Sequence, residues 1–457
     1  MHRLTAVLLA ALLVLSVSAC GEEEVPLLKE NTKDSIYRIT DVPLSGGTEE
    51  EDGGAEFVAL IGMQDRVCAI LNRSGMGGAV PTMITCDAQG GDVQSRELEI
   101  PTDELGEYYI ANCCGDGEDG FYAWLYCNSW DEETGEQSTG RMIAQYDETG
   151  AILAQWPITP DPSVFGEDFY VNSMSRSGDG LLVFQDGTGI CAFDPSSEEF
   201  RSLYRSTERY FDGGVICPRD GSILCSVYDD KSHGYLFRTL DPETGTFSDR
   251  TAQAPSGAYT HNLRAGVVHD LLYDTDNSIY TYDLKSSKSR KLFDFIASDL
   301  VVNELGGVAE LSAEKIAIAA LDWGDNGQEI SLKICDHVPP DQVKDKEELV
   351  ISCVWVDSRV MKMVVDFNRK NEDIRIRIAD YSKYSSDNDW NYPYTKLNTD
   401  IVSGYIPDIL MIDPEMPVES YISKGILSDL TPFLQADEEL SGVAFLDNIM
   451  DTYRIDG

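Results

Sequence analysis

Basic side chains are scarce in this 457-residue sequence. Lys and Arg number 35 against 80 Asp and Glu, a formal net charge of −45. That imbalance excludes a nucleic-acid binder, because no cationic cluster is available to neutralise a run of phosphates. It also excludes docking on anionic lipid through a basic patch. Histidine is rarer still, with 5 residues, too few and too scattered for a metal site. No Cys-x-x-Cys pair, Gly-x-Ser-x-Gly elbow, phosphate loop or His-Glu-x-x-His motif occurs. The sequence therefore predicts a protein that is not an enzyme and that needs no cofactor and no metal. Carboxylate pairs of glycosidase type carry no weight among 80 acids. Asp274-x-Asp276-x-Ser278 and Asp322-x-x-Asp325-x-Gly327 lack a full Ca²⁺ ligand set and read as turns. Apolar runs of membrane-spanning length are missing too. What remains is 42% hydrophobic residues, enough to bury a core and to exclude wholesale disorder.

The N-terminus departs from this polarity. His2 and Arg3 precede an almost wholly apolar stretch, Leu4 to Val17, too short to span a bilayer and typical of a secretory signal. It ends in Val17-Ser18-Ala19-Cys20-Gly21, which resembles a bacterial lipobox. The resemblance implies cleavage after residue 19 and a lipid on the Cys20 thiol. The expected location is extracytoplasmic, anchored to the cell membrane at a bacterial surface. Residues 20–34 are polar and acidic, and read as a tether. That compartment permits disulfides. Yet Cys68, Cys86, Cys127, Cys191, Cys225 and Cys353 sit within apolar, strand-like runs, where cysteine serves as a small hydrophobe. The vicinal pair Cys113-Cys114 is expected as two unpaired thiols, since joining neighbours strains the bridge.

From residue 35 onward the chain is a series of short β-type runs. A unit recurs in which a strand ends on an aspartate: Asp87, Asp147, Asp194, Asp241, Asp283 and Asp336. The intervals are 60, 47, 47, 42 and 53 residues, the period of a four-stranded propeller blade. The carboxylate at each strand end accepts amides of the following turn. A fourth strand follows each turn, most clearly Ala151 to Trp156, but after Asp336 none comes. Ser35 to Leu44 supplies the missing strand from the other end of the chain and closes the ring. The sequence thus predicts an all-β propeller of six blades over residues 35–340. Seven blades and an open sandwich are the alternatives.

A polar linker, 341–348, leads to a different pattern. Leu349 to Trp355 is a buried-type strand, and Val360, Met363, Val364 and Phe367 fall on one helical face, with Ser358 as N-cap. Ile374 to Ala379 forms a second strand and Asp408 to Ile412 a third, with helices around Leu397 to Val402 and after Pro417. Alternating strand and helix predict α/β structure with a parallel sheet over 349–457.

This stretch resembles the first lobe of an extracellular solute-binding protein, the receptor of an ABC importer, of sugar-binding type. Phe367 to Ile374, Leu397 to Gly404, Pro407 to Leu410 and Tyr421 to Leu430 carry the resemblance, in family order. It implies an incomplete binding-protein-like lobe, since the family continues into a second lobe. It also implies three partners: a sugar or oligosaccharide as solute, an importer permease, and the membrane through the N-terminal lipid. Ligands of open α/β sheets bind beyond the C-terminal strand ends. The residues expected at the cleft are therefore Trp355, Asp357, Asp413 and Glu415. The alternatives are a core Trp355 and an Asp413 that merely caps a helix. A surface propeller that itself binds glycan or protein, with the lobe a remnant, is the competing expectation.

Overall fold

The computed structural model describes residues 27–43, 53–75, 78–130, 137–166, 169–207, 211, 213–229, 234–255, 262–275, 277–324, 327–385, 389–438, 440 and 442–452. The segment expected as a signal, the lipobox-like stretch with Cys20, Asp276 and Asp325 lie outside them.

The six aspartates mark six blades. Each stands at the end of the third strand of a four-stranded antiparallel sheet, or within one residue of it. In five the carboxylate does what a turn aspartate does. Asp87 accepts the Gln89 and Gly91 amides, Asp147 those of Thr149 and Ala151, and Asp194 that of Ser196. Asp241 takes the Glu243 amide and Asp283 the Ser286 amide. The sixth, Asp336, has no such turn to serve and pairs with Lys315 instead, at 3.0 Å.

The sixth sheet takes its outermost strand from the N-terminal part of the chain. Tyr37–Val42 runs antiparallel to Gly327–His337, with Tyr37 opposite His337 and Val42 opposite Leu332. The ring is closed by packing as well. Apolar clusters join the first blade to the second, and so on round to the sixth with the first, where Ala309, Ala317 and Leu332 meet Val67 and Cys86. The count is six, not seven, and the ring excludes an open sandwich.

Cysteine fills these seams. All ten described cysteines are unpaired. Cys113 and Cys114 lie on one inner strand, where successive side chains point to opposite faces. Cys113 accordingly packs in the seam toward the first blade and Cys114 in the seam toward the third. Burial pushes the Cys86 thiol up to about 11 and Cys217 to about 12, so these thiols stay protonated and inert.

Residues 347–452 build a small α/β unit. Its strands are β1 (Glu347–Cys353), β2 (Ile374–Asp380) and β3 (Ile409–Leu410), parallel in the order β2-β1-β3. The helices are α1 (Ser358–Lys370), α2 (Tyr392–Val402), α3 (Val418–Ser423), α4 (Thr431–Ala436) and α5 (Asp447–Thr452). The expected apolar face of α1 is rotated. Met363 is exposed, whereas Val364, Val365 and Asn368 are buried. The reason is that α1 also packs against Ile296 and Val301 of the propeller, which recruits Met361 and Val365 to the contact. Asn368 is the polar member of this face. Its amide donates to Ile376 O at 2.9 Å and its carbonyl oxygen accepts Ile376 N–H at 2.7 Å, pinning α1 to β2.

The unit is fixed to the fifth and sixth blades. Arg375 donates to the Asp299 carboxylate and Arg369 to Asp299 O at 2.7 Å. The stretch expected as a loose tether is, over its described residues, part of this joint. Leu27 is buried, and Arg377 donates to Leu27 O and Leu28 O at 3.0 and 2.8 Å while holding Glu348. Glu30 reaches back to Lys291 of the fifth blade at 2.8 Å.

Candidate functional site

The strand order fixes where a ligand wall can form. With β1 central, the chain passes first to one edge and then to the other, so the crevice opens between the C-terminal ends of β1 and β3. The segment after β1 contributes Trp355 and Asp357; the segment after β3 contributes Asp413 and Glu415.

Trp355 is not core. Its side chain is 49% exposed, and its backbone is left-handed, with φ 65°. For a bulky non-glycine residue this costs about 1–3 kcal/mol and persists only where surroundings enforce it. Here the Trp355 N–H donates to Asp380 Oδ1, 3.3 Å away, a carboxylate that also accepts Ser382 N–H. The enforced turn aims the indole at Trp390, which is 63% exposed and lies just ahead of α2, with ring centroids 6.5 Å apart and planes 29° from parallel.

Tyr394, on the first turn of α2, joins this pair to the carboxylates. Its hydroxyl is raised above the usual phenol range, first by burial and then by the Asp413 carboxylate, through charge and a hydrogen bond. Glu415 adds to the rise by charge, and a hydrogen bond with Trp355 opposes it. Trp355, Tyr394, Asp413 and Glu415 therefore form one neighbourhood. Asp413 also accepts Glu415 N–H at 3.0 Å, which rigidifies the turn that carries both carboxylates.

Asp357 has a different occupation. It, rather than Ser358, is the N-cap of α1, accepting Arg359 N–H at 2.8 Å, and its two oxygens also hold the Arg359 guanidinium at 2.9 and 3.1 Å. The Arg359 hydrogen bonds keep its carboxyl below the usual range. Ser358 is the first helical residue instead, because aspartate is the stronger anionic cap at a helix N-terminus.

Sequence reasoning missed Trp390 and Tyr394. Both precede or open α2 in the run Asp389-Trp390-Asn391-Tyr392-Pro393-Tyr394. The available signal was an aromatic-rich stretch interrupted by Pro393, a residue suited to a first helical turn.

Two concavities lie elsewhere. A cleft of about 370 Å³ separates α1 from the sixth blade and is edged by Lys333, Arg359, Lys362 and Asp366. A smaller one, about 60 Å³, sits in the joint among Glu30, Lys291, Asp294, Arg375 and Arg377, whose charges answer one another. Neither presents stacked aromatic faces. Among the described residues no group of three His, Cys, Asp or Glu side chains is placed to hold a metal ion.

No protein-family model and no curated protein matches the sequence. Among solved structures, the chain is similar to a protein of unknown function from Dyadobacter fermentans DSM 18053. The two share 12% identity and a TM-score of 0.44 over 66% of this chain and 97% of that one. It is also similar to a chain of a mitotic checkpoint complex, at 15% identity and TM-score 0.35, over 69% and 96% of the respective lengths.

Proposed function

We propose that this chain is a lipid-anchored, extracytoplasmic receptor of an ABC importer that captures a sugar or oligosaccharide and delivers it to the importer's permease. In this role the protein binds and does not catalyse. Cys20 carries the lipid, and the six-bladed propeller is the scaffold on which the α/β unit is held.

The observation that carries the proposal is Trp355, a strained residue whose exposed ring is aligned with that of Trp390 beside Asp413. Pyranose rings present an apolar C–H face that stacks on indole, and their hydroxyls donate to carboxylates. The described residues supply one open wall. Binding is therefore expected to be weak, with Kd on the order of 1 mM, the affinity of about −4 kcal/mol.

A second role, with the propeller as the working part, is favoured by Trp323 on the sixth blade. This side chain is 70% exposed and its Nε1 donates to Glu304 at 3.4 Å. Ligand-detected NMR across a glycan panel separates the two. Loss of saccharide binding in Trp355→Gly with Trp323→Ala unaffected supports the receptor; the reverse pattern assigns binding to the propeller.

A further inference from the structure

We infer that the Trp355 wall selects saccharides that bear a protonated amine over neutral ones, and neutral ones over acidic ones. The inference rests on the saccharide role proposed above and adds its ligand class.

The wall combines two features that favour a cation. Indole faces attract ammonium groups through the ring quadrupole, tryptophan most strongly of the side chains. Trp355 and Trp390 present two such faces, both largely open to solvent. Asp413 and Glu415 leave the neighbouring strand at the level of Trp355, since Ser352 of β1 pairs with Leu410 of β3, and they lie on a turn stiffened by the Asp413 bond to Glu415 N–H. Among the described residues no ion pair reaches either carboxylate. Arg359, at the start of α1, and Lys396, on α2, are engaged with Asp357 and Asp400, both at 2.9 Å. Tyr394 does not neutralise them: burial first, and then their charge, raises its hydroxyl above the usual phenol range, so it stays protonated and uncharged.

A neutral pyranose would stack on the indoles and donate hydroxyls to Asp413, leaving the charge uncompensated. An ammonium on the same ring would add a charge-assisted hydrogen bond and a cation–π contact. A carboxylate or phosphate on the ring would meet like charge. The selection therefore has an attractive arm and a repulsive one.

The test compares β-1,4-linked trimers of glucosamine, glucose and glucuronic acid against the intact chain by ligand-detected NMR at low and high salt. The glucosamine trimer is expected to bind about tenfold more tightly than the glucose trimer at low salt, with the gap narrowing as salt rises. The glucuronic acid trimer is expected to be weakest. Glu415→Gln should shrink the gap between the glucosamine and glucose trimers to about threefold. Because the whole chain is strongly acidic, Trp355→Gly is the control that keeps every charge. Persistent glucosamine binding in that variant means diffuse attraction and overturns the inference. Equal affinity for glucosamine and glucose trimers, both lost in Trp355→Gly, overturns the inference and leaves the saccharide role standing. Absence of binding by all three trimers overturns both.

Discussion

The propeller and the α/β unit hold themselves together by different means. The propeller repeats one solution six times: an apolar seam between neighbouring sheets, and an aspartate at the end of each third strand. Its stability is spread over equivalent seams, so the feature that matters most is the one that occurs once, the closing strand. The α/β unit has a short three-stranded sheet and relies on single polar bridges. Asn368 ties α1 to β2, Asp408 accepts Val350 N–H at 2.9 Å at the sheet edge, and Tyr381 donates to buried Asp400 at 2.8 Å. A repeat tolerates change at any one seam; a small layered unit does not tolerate loss of a unique bridge.

Breaking the closure should give the largest effect. Tyr37 is buried to 2% exposure, lies 4.7 Å from the Phe293 ring and donates its N–H to Ser298 Oγ. Tyr37→Ala is expected to cost about 3–5 kcal/mol, read by denaturant unfolding of the intact chain. Removing a bridge of the smaller unit comes next. Asn368→Ala strands the Ile376 N–H and C=O and is expected to cost about 2 kcal/mol. Hydrogen exchange should show protection lost in 347–380 and retained in blades one to four; uniform loss across the chain would mean the two regions unfold as one.

The third variant separates function from both. Trp355→Gly relieves the left-handed backbone and is expected to leave the melting temperature unchanged or slightly raised while abolishing saccharide binding. The smallest effect concerns the blade turns. The Ser196 hydroxyl, and then its amide, hold Asp194 below the usual carboxylate range. A lowered folded-state pKa contributes stability that is fully present above the unfolded value, near 4, and lost as pH falls through the folded value. Asp194→Asn should therefore cost a little stability at neutral pH and flatten acid unfolding below about pH 4, where the parent chain loses the same contribution. A steeper acid transition in the variant would contradict the turn role.

The same contrast explains what was legible in the sequence. The propeller could be counted because its aspartate recurs at blade spacing, and the closing strand could be found because Asp336 lacks a successor. The order of strands and helices from 349 to about 424 was legible from apolar periodicity, whereas α4 and α5 were not expected. The rotated face of α1 was not legible, because Val365 is buried, and Met361 partly buried, against a propeller loop far away in sequence. Nor was the packing of Leu27 and Leu28, whose carbonyls are held by Arg377, 350 and 349 residues away. The phrases that resemble a solute-binding family turned out to include the bridges: Asn368, Asp400 and Asp408 sit within them. Of the candidate site, Trp355, Asp413 and Glu415 were marked by their place after strand ends. Trp390 and Tyr394 were not, since they come from a third segment, at the start of α2, that only the folded unit brings alongside.

One measurement decides which region does the work: a crystal structure of the intact chain soaked with the saccharide that binds it most tightly. The receptor role requires a sugar ring over Trp355 and Trp390, with a hydroxyl or amine within hydrogen-bond distance of Asp413 or Glu415. A sugar seated on the propeller, with the Trp355 wall empty, would contradict it.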